Sequence, residues 1–242
     1  MIRLKNVSKF YYSKGMIASG FSKVNLEFEV GEFVVITGES GSGKTTLLNV
    51  ISGLDSYEEG ELYINGRETS HYLAADFEEY RKKYIGNIFQ NFNPINSYTV
   101  YQNVELILRI NGYKKSQIKE KVPAIIERVG LTEYTKTKVS KLSGGQKQRV
   151  SIARALAKDT SVVVADEPTG NLDSKSAEGI VQLLSEISKD KLVIVVTHNY
   201  DQFASYATRK IKMHDGKVVE DEQITPRHSA QPQTQQIGRA HV

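Results

Sequence analysis

Gly38-Glu39-Ser40-Gly41-Ser42-Gly43-Lys44-Thr45 is the stretch that decides the fold, because it matches the pattern GxxxxGK(S/T) in full. Before it, Phe33–Thr37 (FVVIT) is a short apolar run rich in β-branched residues, which predicts a buried strand. After it, residues 46–52 (TLLNVIS) continue with helical spacing. Glycines between a strand and a helix let successive backbone N–H groups surround phosphate oxygens. The sequence therefore predicts an α/β fold with a phosphate loop at residues 38–45.

The phosphate loop also predicts individual roles. The Lys44 ammonium is expected to reach the β- and γ-phosphates of a nucleotide, and the Thr45 hydroxyl to ligate Mg²⁺. A glycine-rich turn without a ligand is the alternative, but the flanking strand and helix argue against it. The residues predicted to contact the nucleotide here are Gly38, Ser40, Gly41, Ser42, Gly43, Lys44, Thr45 and Thr46.

A second motif, SVVVADEP at residues 161–168, predicts a buried strand that ends in two carboxylates. Open α/β sheets bind their ligands at the carboxyl ends of the strands, where Asp166 and Glu167 are expected to lie. We expect Asp166 to hold the hydration shell of Mg²⁺ and Glu167 to polarise the attacking water as a general base. Capping of the following helix is the alternative role for this acidic pair.

A third motif, Thr197-His198, follows the apolar run 192–196 (LVIVV). A histidine at a strand end is often a surface residue. Beside a phosphate loop, His198 is instead predicted to contact the γ-phosphate and the attacking water, since imidazole can donate a hydrogen bond there.

The stretch LSGGQKQR, residues 142–149 (the signature segment below), precedes a predicted helix at 146–157. Ser143, Gly144 and Gly145 are expected at the amino end of that helix, where backbone amides and the helix dipole attract an anion. An ordinary turn is the alternative for such a segment.

In this order and with these spacings, the motifs closely resemble the nucleotide-binding subunits of ATP-binding cassette (ABC) transporters. The likeness covers residues 2–222 and includes the glutamine of IFQNFNP and the segment GNLD. Three longer segments resemble the sequences of one branch of this family, the macrolide-export, lipoprotein-release and cell-division ATPases. These segments are GESGSGKTTLLNVISGLD, RKKYIGNIFQNFNPI and ADEPTGNLDS. In that branch, the ATPase serves a permease with few transmembrane helices and a large extracytoplasmic domain.

The resemblance implies a fold class and a division of the chain. The fold is an α/β P-loop NTPase core, a mixed sheet with helices on both faces, joined by an antiparallel β subdomain and an inserted α-helical subdomain. The ATPase domain would span residues 1–224, with the helical subdomain at about 94–141. Within that insertion, residues 100–110 and 116–129 are amphipathic helix candidates separated by Gly112.

The resemblance further implies ATP and Mg²⁺ as cofactors and a homodimer as the active form. Gln90 would touch Mg²⁺ and relay the nucleotide state to the permease, and Asp173 would couple the two sites. The catalytic residues would be Glu167, His198, Lys44 and Gln90. The residues that bind the metal would be Thr45, Gln90 and Asp166. The nucleotide would also be contacted by four residues of the partner copy, Ser143, Gly144, Gly145 and Gln146.

Three aromatic residues near the first strand, Phe10, Tyr11 and Tyr12, are candidates to stack on adenine. Tyr11 fits the register of the family best, although packing at the sheet edge is an alternative for all three.

A permease is expected to dock on residues near Gln90 to Tyr101, where Phe92, Ile95 and Tyr98 would supply apolar contacts. These side chains could instead pack on their own subdomain. Residues 225–242 are rich in Gln, Ser, Thr and Pro, which favours disorder, a linker to a longer chain or an artefact of cloning.

Composition excludes several other classes of protein. The net charge is +4, of which two units come from Arg227 and Arg239, and no basic cluster with interleaved aromatics predicts nucleic-acid binding. Cysteine is absent, and the five histidines lack metal-binding spacing. No apolar run approaches the ~18 residues of a membrane span, and the start lacks the apolar core of a signal peptide. We therefore expect a protein at the cytoplasmic face of the membrane, held there by its permease.

Two rival classes share these motifs. DNA-repair and chromosome-structure ATPases separate the phosphate loop from the signature by a long coiled coil, whereas only residues 46–141 separate them here, without sustained heptads. Ribosome-acting ABC proteins normally carry two cassettes in one chain, and this chain has one set of motifs. Within the family, an importer ATPase is the main alternative to the exporter-type branch, and the cargo is not encoded in these residues.

Overall fold

The computed structural model describes residues 1–89 and 94–226, which form two β-sheets and six α-helices of eight residues or more. The strands are β1 (Ile2–Ser13), β2 (Met16–Phe28), β3 (Phe33–Thr37), β4 (Glu59–Ile64), β5 (Arg67–Glu68), β6 (Ile85–Ile88), β7 (Val162–Asp166), β8 (Leu192–Thr197), β9 (Arg209–His214) and β10 (Lys217–Gln223). The helices are α1 (Lys44–Ile51), α2 (Ala74–Tyr84), α3 (Val100–Ile110), α4 (Lys115–Arg128), α5 (Gly144–Ala157) and α6 (Ser174–Ile187). Short 3₁₀ turns occur at Thr132–Tyr134, Val139–Lys141 and Tyr200–Gln202.

The larger, central sheet has the strand order β10-β9-β3-β8-β7-β6. Strands β9, β3, β8, β7 and β6 are parallel, and β10 is antiparallel to β9. The carboxyl ends of β3, β7 and β8 therefore meet at one edge, with Thr37 opposite Thr197 and Asp166 opposite Val196. This edge carries the phosphate loop and the DE and TH motifs together.

Side-chain alternation in the central strands divides the apolar interior into two cores. In β3, Phe33 and Val35 face a core shared with α3, α4, α5 and α6. Val34 and Ile36 face the other core, shared with α1 and the four-stranded antiparallel sheet of order β2-β1-β4-β5. Both faces are covered, which explains why the central strands are continuously apolar in sequence.

The predicted fold class is confirmed: a mixed sheet with helices on both faces is joined by an antiparallel sheet and further helices. The predicted helix 100–110 coincides with α3. Helices α3 and α4 pack on each other and on α5, while the limits 94–141 of a separate subdomain stay a prediction. Among the described residues, none of the helices has the length and apolarity that crossing a bilayer requires.

The sequence patterns did not indicate α2, β9 or β10. In α2, Tyr80 is buried and Phe77 and Tyr84 pack against the same core, but the helix is otherwise largely charged, so its apolar stripe is weak. Strand β10 (KVVEDEQ) is largely exposed and charged, because it lies at the edge of the central sheet.

Arg209, at the start of β9, ties the central sheet to the antiparallel one. Its side chain is 7% exposed, and its guanidinium binds both carboxylate oxygens of Asp221 at 2.8 Å and an oxygen of Glu32 at 3.2 Å. The same group lies 5.1 Å from the centre of the Phe28 ring. A bidentate pair of this kind is geometrically specific, and removal of one partner leaves a partly buried charge unpaired.

We expect Arg209→Ala to lower the free energy of unfolding by about 2–3 kcal/mol, less than a fully buried pair because Asp221 is partly exposed. Urea unfolding followed by circular dichroism measures this. Lys212→Ala is the matched control, since Lys212 on the same strand makes only an exposed 4.0 Å pair with Glu220 and should change stability by less than ~0.5 kcal/mol. Equal losses for the two variants would contradict the role assigned to Arg209.

Candidate functional site: a nucleotide site at the strand ends

The phosphate loop curls tightly around the amino end of α1. Gly43 has φ 96°, and a Cβ at this position would lie 2.3 Å from the Gly20 carbonyl oxygen, so only glycine fits. Lys44 is 7% exposed, and its ammonium donates to the Glu39 carbonyl at 3.2 Å across the loop. No side chain caps α1, so its first backbone N–H groups remain directed out of the helix, where an anion can accept from them.

Ser42 tests whether this loop fits a phosphate. The residue is 1% exposed, and its hydroxyl lacks a hydrogen-bond partner within the described part of the chain. A buried polar atom without a partner is uncommon in a folded protein and calls for an explanation. A phosphate oxygen bound in the loop would satisfy this hydroxyl together with the first amides of α1, so the residues present fit a nucleotide.

Asp166 ends β7 and accepts a hydrogen bond from the Thr45 hydroxyl. Burial raises the pKa of the Asp166 carboxyl above its ordinary value, and the nearby charge of Glu167 adds to the rise. The hydrogen bond from Thr45 and the charge of Lys44 oppose it. The structure thus places two of the three predicted metal ligands, the Thr45 hydroxyl and the Asp166 carboxylate, side by side.

These two oxygens suit Mg²⁺ in a nucleotide site. In residues 1–89 and 94–226, no three His, Cys, Asp or Glu side chains are close enough to hold a metal ion by themselves. Mg²⁺ does not require such a cluster, because it is usually bound by one or two protein groups together with phosphate oxygens and water.

Glu167 is held in an unusual backbone conformation, with φ 48°. Its carboxylate accepts from the Thr197 hydroxyl at 3.0 Å, from the His198 backbone N–H at 2.8 Å and lies 2.7 Å from His198 Nδ1. A non-glycine residue in this region is strained, and such strain is common in active sites. The side chain is 16% exposed, so the carboxylate faces solvent only at the strand ends.

The His198 side chain is 70% exposed and bonded to Glu167 through one ring nitrogen, so Nε2 is left to face outward. An imidazole held in this way can present a donor or an acceptor to a ligand. The structure therefore brings Lys44, Thr45, Asp166, Glu167 and His198 to one edge of the sheet, as the sequence predicted.

The signature segment lies elsewhere. Ser143 caps α5, where its hydroxyl accepts from the Gln146 N–H at 3.3 Å and the Gln146 side chain accepts from the Ser143 N–H at 3.0 Å. A Cβ on Gly145 would lie 2.9 Å from Ser176, at the start of α6. Asp173 caps α6 by accepting from the backbone and hydroxyl of that same Ser176. The predicted signature and Asp173 are therefore neighbours.

Tyr11 lies beside the phosphate loop. Its hydroxyl is 3.4 Å from the Thr46 hydroxyl and 3.2 Å from an Asp55 oxygen, and the Lys9 ammonium lies 5.3 Å from the ring centre. Tyr12 is 69% exposed at the far end of the hairpin. Of these two tyrosines, Tyr11 is thus the one beside the phosphate loop, and its stacking on adenine stays a prediction.

Two glutamine residues, Gln90 and Gln148, also concern this site. Gln90 lies outside the described residues, so its predicted role stays untested by the geometry. Gln148 was not predicted, yet it is fully buried and donates to backbone carbonyls next to the DE motif. Helical spacing could have identified Gln148 from the sequence, because it places this residue on the same buried face of α5 as Gly145 and Ile152.

Known proteins resemble this chain in sequence and in structure. The family described as ABC transporter matches residues 21–170. The chain belongs to the ABC transporter family. It is an ATP-binding cassette with ATPase chemistry, as the sequence predicted, and its relatives include members of the expected branch.

Among the relatives, MJ0796 of Methanocaldococcus jannaschii, an uncharacterized ABC transporter ATP-binding protein, is 41% identical over 230 residues, or 93% of this chain and 97% of the relative. Its dimeric post-hydrolysis structure with ADP and Pi has a TM-score of 0.80 at 39% identity, covering 92% of this chain and 98% of that chain.

Two longer relatives have names that state a direction of transport. The macrolide export ATP-binding/permease protein MacB of a Shewanella species is 42% identical over 208 residues, which are 85% of this chain but 32% of MacB. The methionine import ATP-binding protein MetN of Clostridioides difficile is 41% identical over 223 residues, 91% of this chain and 68% of MetN. The cassette thus spans about a third of the MacB relative.

We expect Asp166→Asn to raise the melting temperature of the nucleotide-free cassette at about pH 7.5 by ~2 °C or more. The Asp166 carboxyl has a raised pKa, so it binds its proton more tightly when folded, and its ionisation above that pKa destabilises the fold. The gain should shrink near pH 4, about the ordinary aspartate pKa. Differential scanning fluorimetry with and without Mg·ATP should also show a smaller nucleotide-induced rise.

Asp173→Asn is the control of opposite sign. The backbone N–H and hydroxyl of Ser176 hold the pKa of the Asp173 carboxyl below its ordinary value, so its charge stabilises the fold at neutral pH. This variant should therefore melt lower than the wild type. A lower melting temperature for Asp166→Asn as well would contradict the assignment of Asp166 as a destabilising functional group.

Proposed function

We propose that this cassette is the ATPase subunit of an ABC transporter of the exporter-type branch. Two copies bind two Mg·ATP between them, and the closing and opening of the dimer drive a separate membrane permease. The work done is export or extraction of a peptide, antibiotic or lipoprotein-like cargo, or transmission of force across the membrane. The cassette acts at the cytoplasmic face of the membrane, where the permease holds it.

One observation carries the dimer. The phosphate loop leads into α1, whose apolar side chains pack in the core on the antiparallel-sheet face of the central sheet. The signature segment leads into α5, which packs in the core on the opposite face. One chain therefore presents these two phosphate-binding helix ends on different sides of its sheet. Pairing with a second copy supplies the missing half of each site, and the dimeric MJ0796 cassettes support this arrangement.

Within each composite site, we assign the roles that the contacts support. Lys44 and the amides of the phosphate loop bind the β- and γ-phosphates, and Ser143, Gly144, Gly145 and Gln146 approach the γ-phosphate from the partner copy. Thr45 and Asp166 hold Mg²⁺, which neutralises charge on the phosphates when bound. The burial of Lys44 in the loop and the hydrogen bond from Thr45 to Asp166 support this proposal.

Glu167 is the general base in this scheme. Its carboxylate is anchored by Thr197 and His198, which restrict it to one orientation at the strand ends. A base must lie within hydrogen-bond reach of the water from which it takes a proton, and fixed orientation is what makes that reach productive. His198 presents its outer ring nitrogen to the γ-phosphate, so loss of that phosphate changes a contact of the base itself.

Export is proposed on the strength of the MacB-like wording and of the MacB relative. The import alternative rests on MetN, whose identity to this chain is almost the same. The permease is expected to dock near Gln90 to Tyr101. Of the predicted apolar contacts, Phe92 lies outside the described residues, Ile95 is half-buried and Tyr98 is 40% exposed.

Mixing two inactive variants tests the composite sites. Lys44→Ala removes the phosphate-loop half and Ser143→Arg the signature half, so each variant alone should lose hydrolysis. A mixed dimer contains one intact site, formed by the loop of the Ser143→Arg copy and the signature of the Lys44→Ala copy. Random mixing should therefore restore roughly a quarter of the wild-type ATPase rate per chain, since half the dimers are mixed and half their sites are intact. No recovery, with mixed dimers demonstrated by cross-linking, would contradict the proposal.

A pull-down from detergent-solubilised native membranes tests the direction of transport. The bait is the Glu167→Gln cassette with Mg·ATP, which should bind ATP, stay dimeric and hydrolyse at least ~100-fold more slowly than wild type. Mass spectrometry should identify a permease with few helices and a large external domain. A many-helix permease with a solute-binding protein would instead indicate import. Ribosomal or DNA-associated proteins alone would refute the transporter role, and Lys44→Ala with Mg·ATP is the matched negative bait.

A further inference from the structure

Gln148 connects helix α5 to the loop that carries Glu167. Its side chain is fully buried, and Nε2 donates to the Pro168 carbonyl at 2.7 Å and to the Phe89 carbonyl at 3.2 Å. Pro168 directly follows Glu167 in the chain, and Phe89 directly follows β6. One amide group thus joins two backbone segments at the carboxyl edge of the central sheet.

The orientation of this amide is fixed by its partners. Both are carbonyl oxygens, which only accept hydrogen bonds, so the NH₂ end must face them. Oε1 is buried and has no partner within the described residues. A buried amide that serves packing alone is normally satisfied at both ends. Among the described residues, Gln148 instead uses both of its donors on two loops, and its acceptor has no partner.

The loop after β7 needs such an anchor. Glu167 has φ 48°, a conformation that persists only when neighbouring structure holds it. On one side, the Glu167 N–H donates to the Val196 carbonyl of β8 at 2.8 Å. On the other side, the next residue is held through its carbonyl by Gln148. The strained residue is therefore fixed between β8 and α5.

Helix α5 also connects Gln148 to the signature segment. Gln148 lies five residues after Ser143, which begins the helix and whose segment is assigned to the nucleotide of the partner copy. A single helix therefore joins the signature segment to the side chain that holds the Pro168 carbonyl.

We propose that Gln148 is a positioning residue for Glu167: it holds the strained loop in the geometry needed for hydrolysis and couples it to the signature segment at the start of α5. The proposal rests on the role of Glu167 as general base. Gln148 does not touch the nucleotide, so it acts on the orientation of the carboxylate and leaves ATP binding to the phosphate loop.

Gln148→Leu removes both hydrogen-bond donors and puts an apolar side chain of similar size in their place. We expect kcat for ATP to fall about 10- to 100-fold, as misplacement of a catalytic group produces, and KM to change less than about threefold. Thr160→Val is the matched control, because Thr160 is 1% exposed and its hydroxyl donates to a backbone carbonyl at the opposite end of β7. That variant should keep the wild-type kcat.

A double variant separates positioning from general damage. If Gln148 acts through the Glu167 carboxylate, Gln148→Leu combined with Glu167→Gln should hydrolyse no more slowly than Glu167→Gln alone. Multiplied losses in the double variant would overturn the proposal, as would a wild-type kcat for Gln148→Leu. If Glu167→Gln itself hydrolysed at the wild-type rate, the assignment of the base would fail instead, so the two failures are distinguishable.

Gln148→Glu supplies a readout that does not depend on removal of bulk. Its ionised carboxylate would face two carbonyl oxygens without a donor, whereas the protonated form regains one O–H donor. The kcat of this variant relative to the wild type should therefore rise as the pH falls from about 8 to about 6, with burial favouring protonation. A ratio that stays constant over this range would contradict a role for the Gln148 donors.

Discussion

Parallel pairing of β3, β8 and β7 is the constraint on which the rest of the structure depends. Each strand is covered on both faces, so its register is fixed by two cores at once, and a slip by one residue would exchange them. Because the three strands run in the same direction, their carboxyl ends stop at the same level. The phosphate loop, the acidic pair and His198 meet because the hydrogen-bonded ladders end there.

The same arrangement separates the two phosphate-binding helix ends. Helix α1 follows β3 onto one face of the central sheet, and α5 precedes β7 on the other. A chain folded in this way presents the phosphate loop, the acidic pair and His198 at the strand ends, while the signature segment begins a helix on the other face. The proposed dependence on a second copy thus rests on sheet topology, and the close approach of Gly145 to Ser176 places the signature beside the start of α6.

Much of this architecture was predictable from sequence because strong local signals coincide with it. The runs at β3, β7 and β8 are continuously apolar, and α3 has both an apolar stripe and a capping box formed by Thr99 and Gln102. Helix α2 was missed because its core contacts, Phe77, Tyr80 and Tyr84, stand in a largely charged segment. The contacts of Glu167 and Gln148 could not be read from sequence, because they join segments that are adjacent only after the sheet has formed.

The left-handed backbone of Glu167 has a consequence for how such a protein changes under selection. Glycine would adopt φ 48° without strain, and it would also remove a carboxylate that adds to the charge around Asp166. A library screened for heat resistance alone should therefore enrich glycine at this position and lose the chemistry. On the proposed role of Glu167 as general base, retention of glutamate requires a screen that rewards turnover, so thermal robustness and catalysis make opposing demands on this one residue.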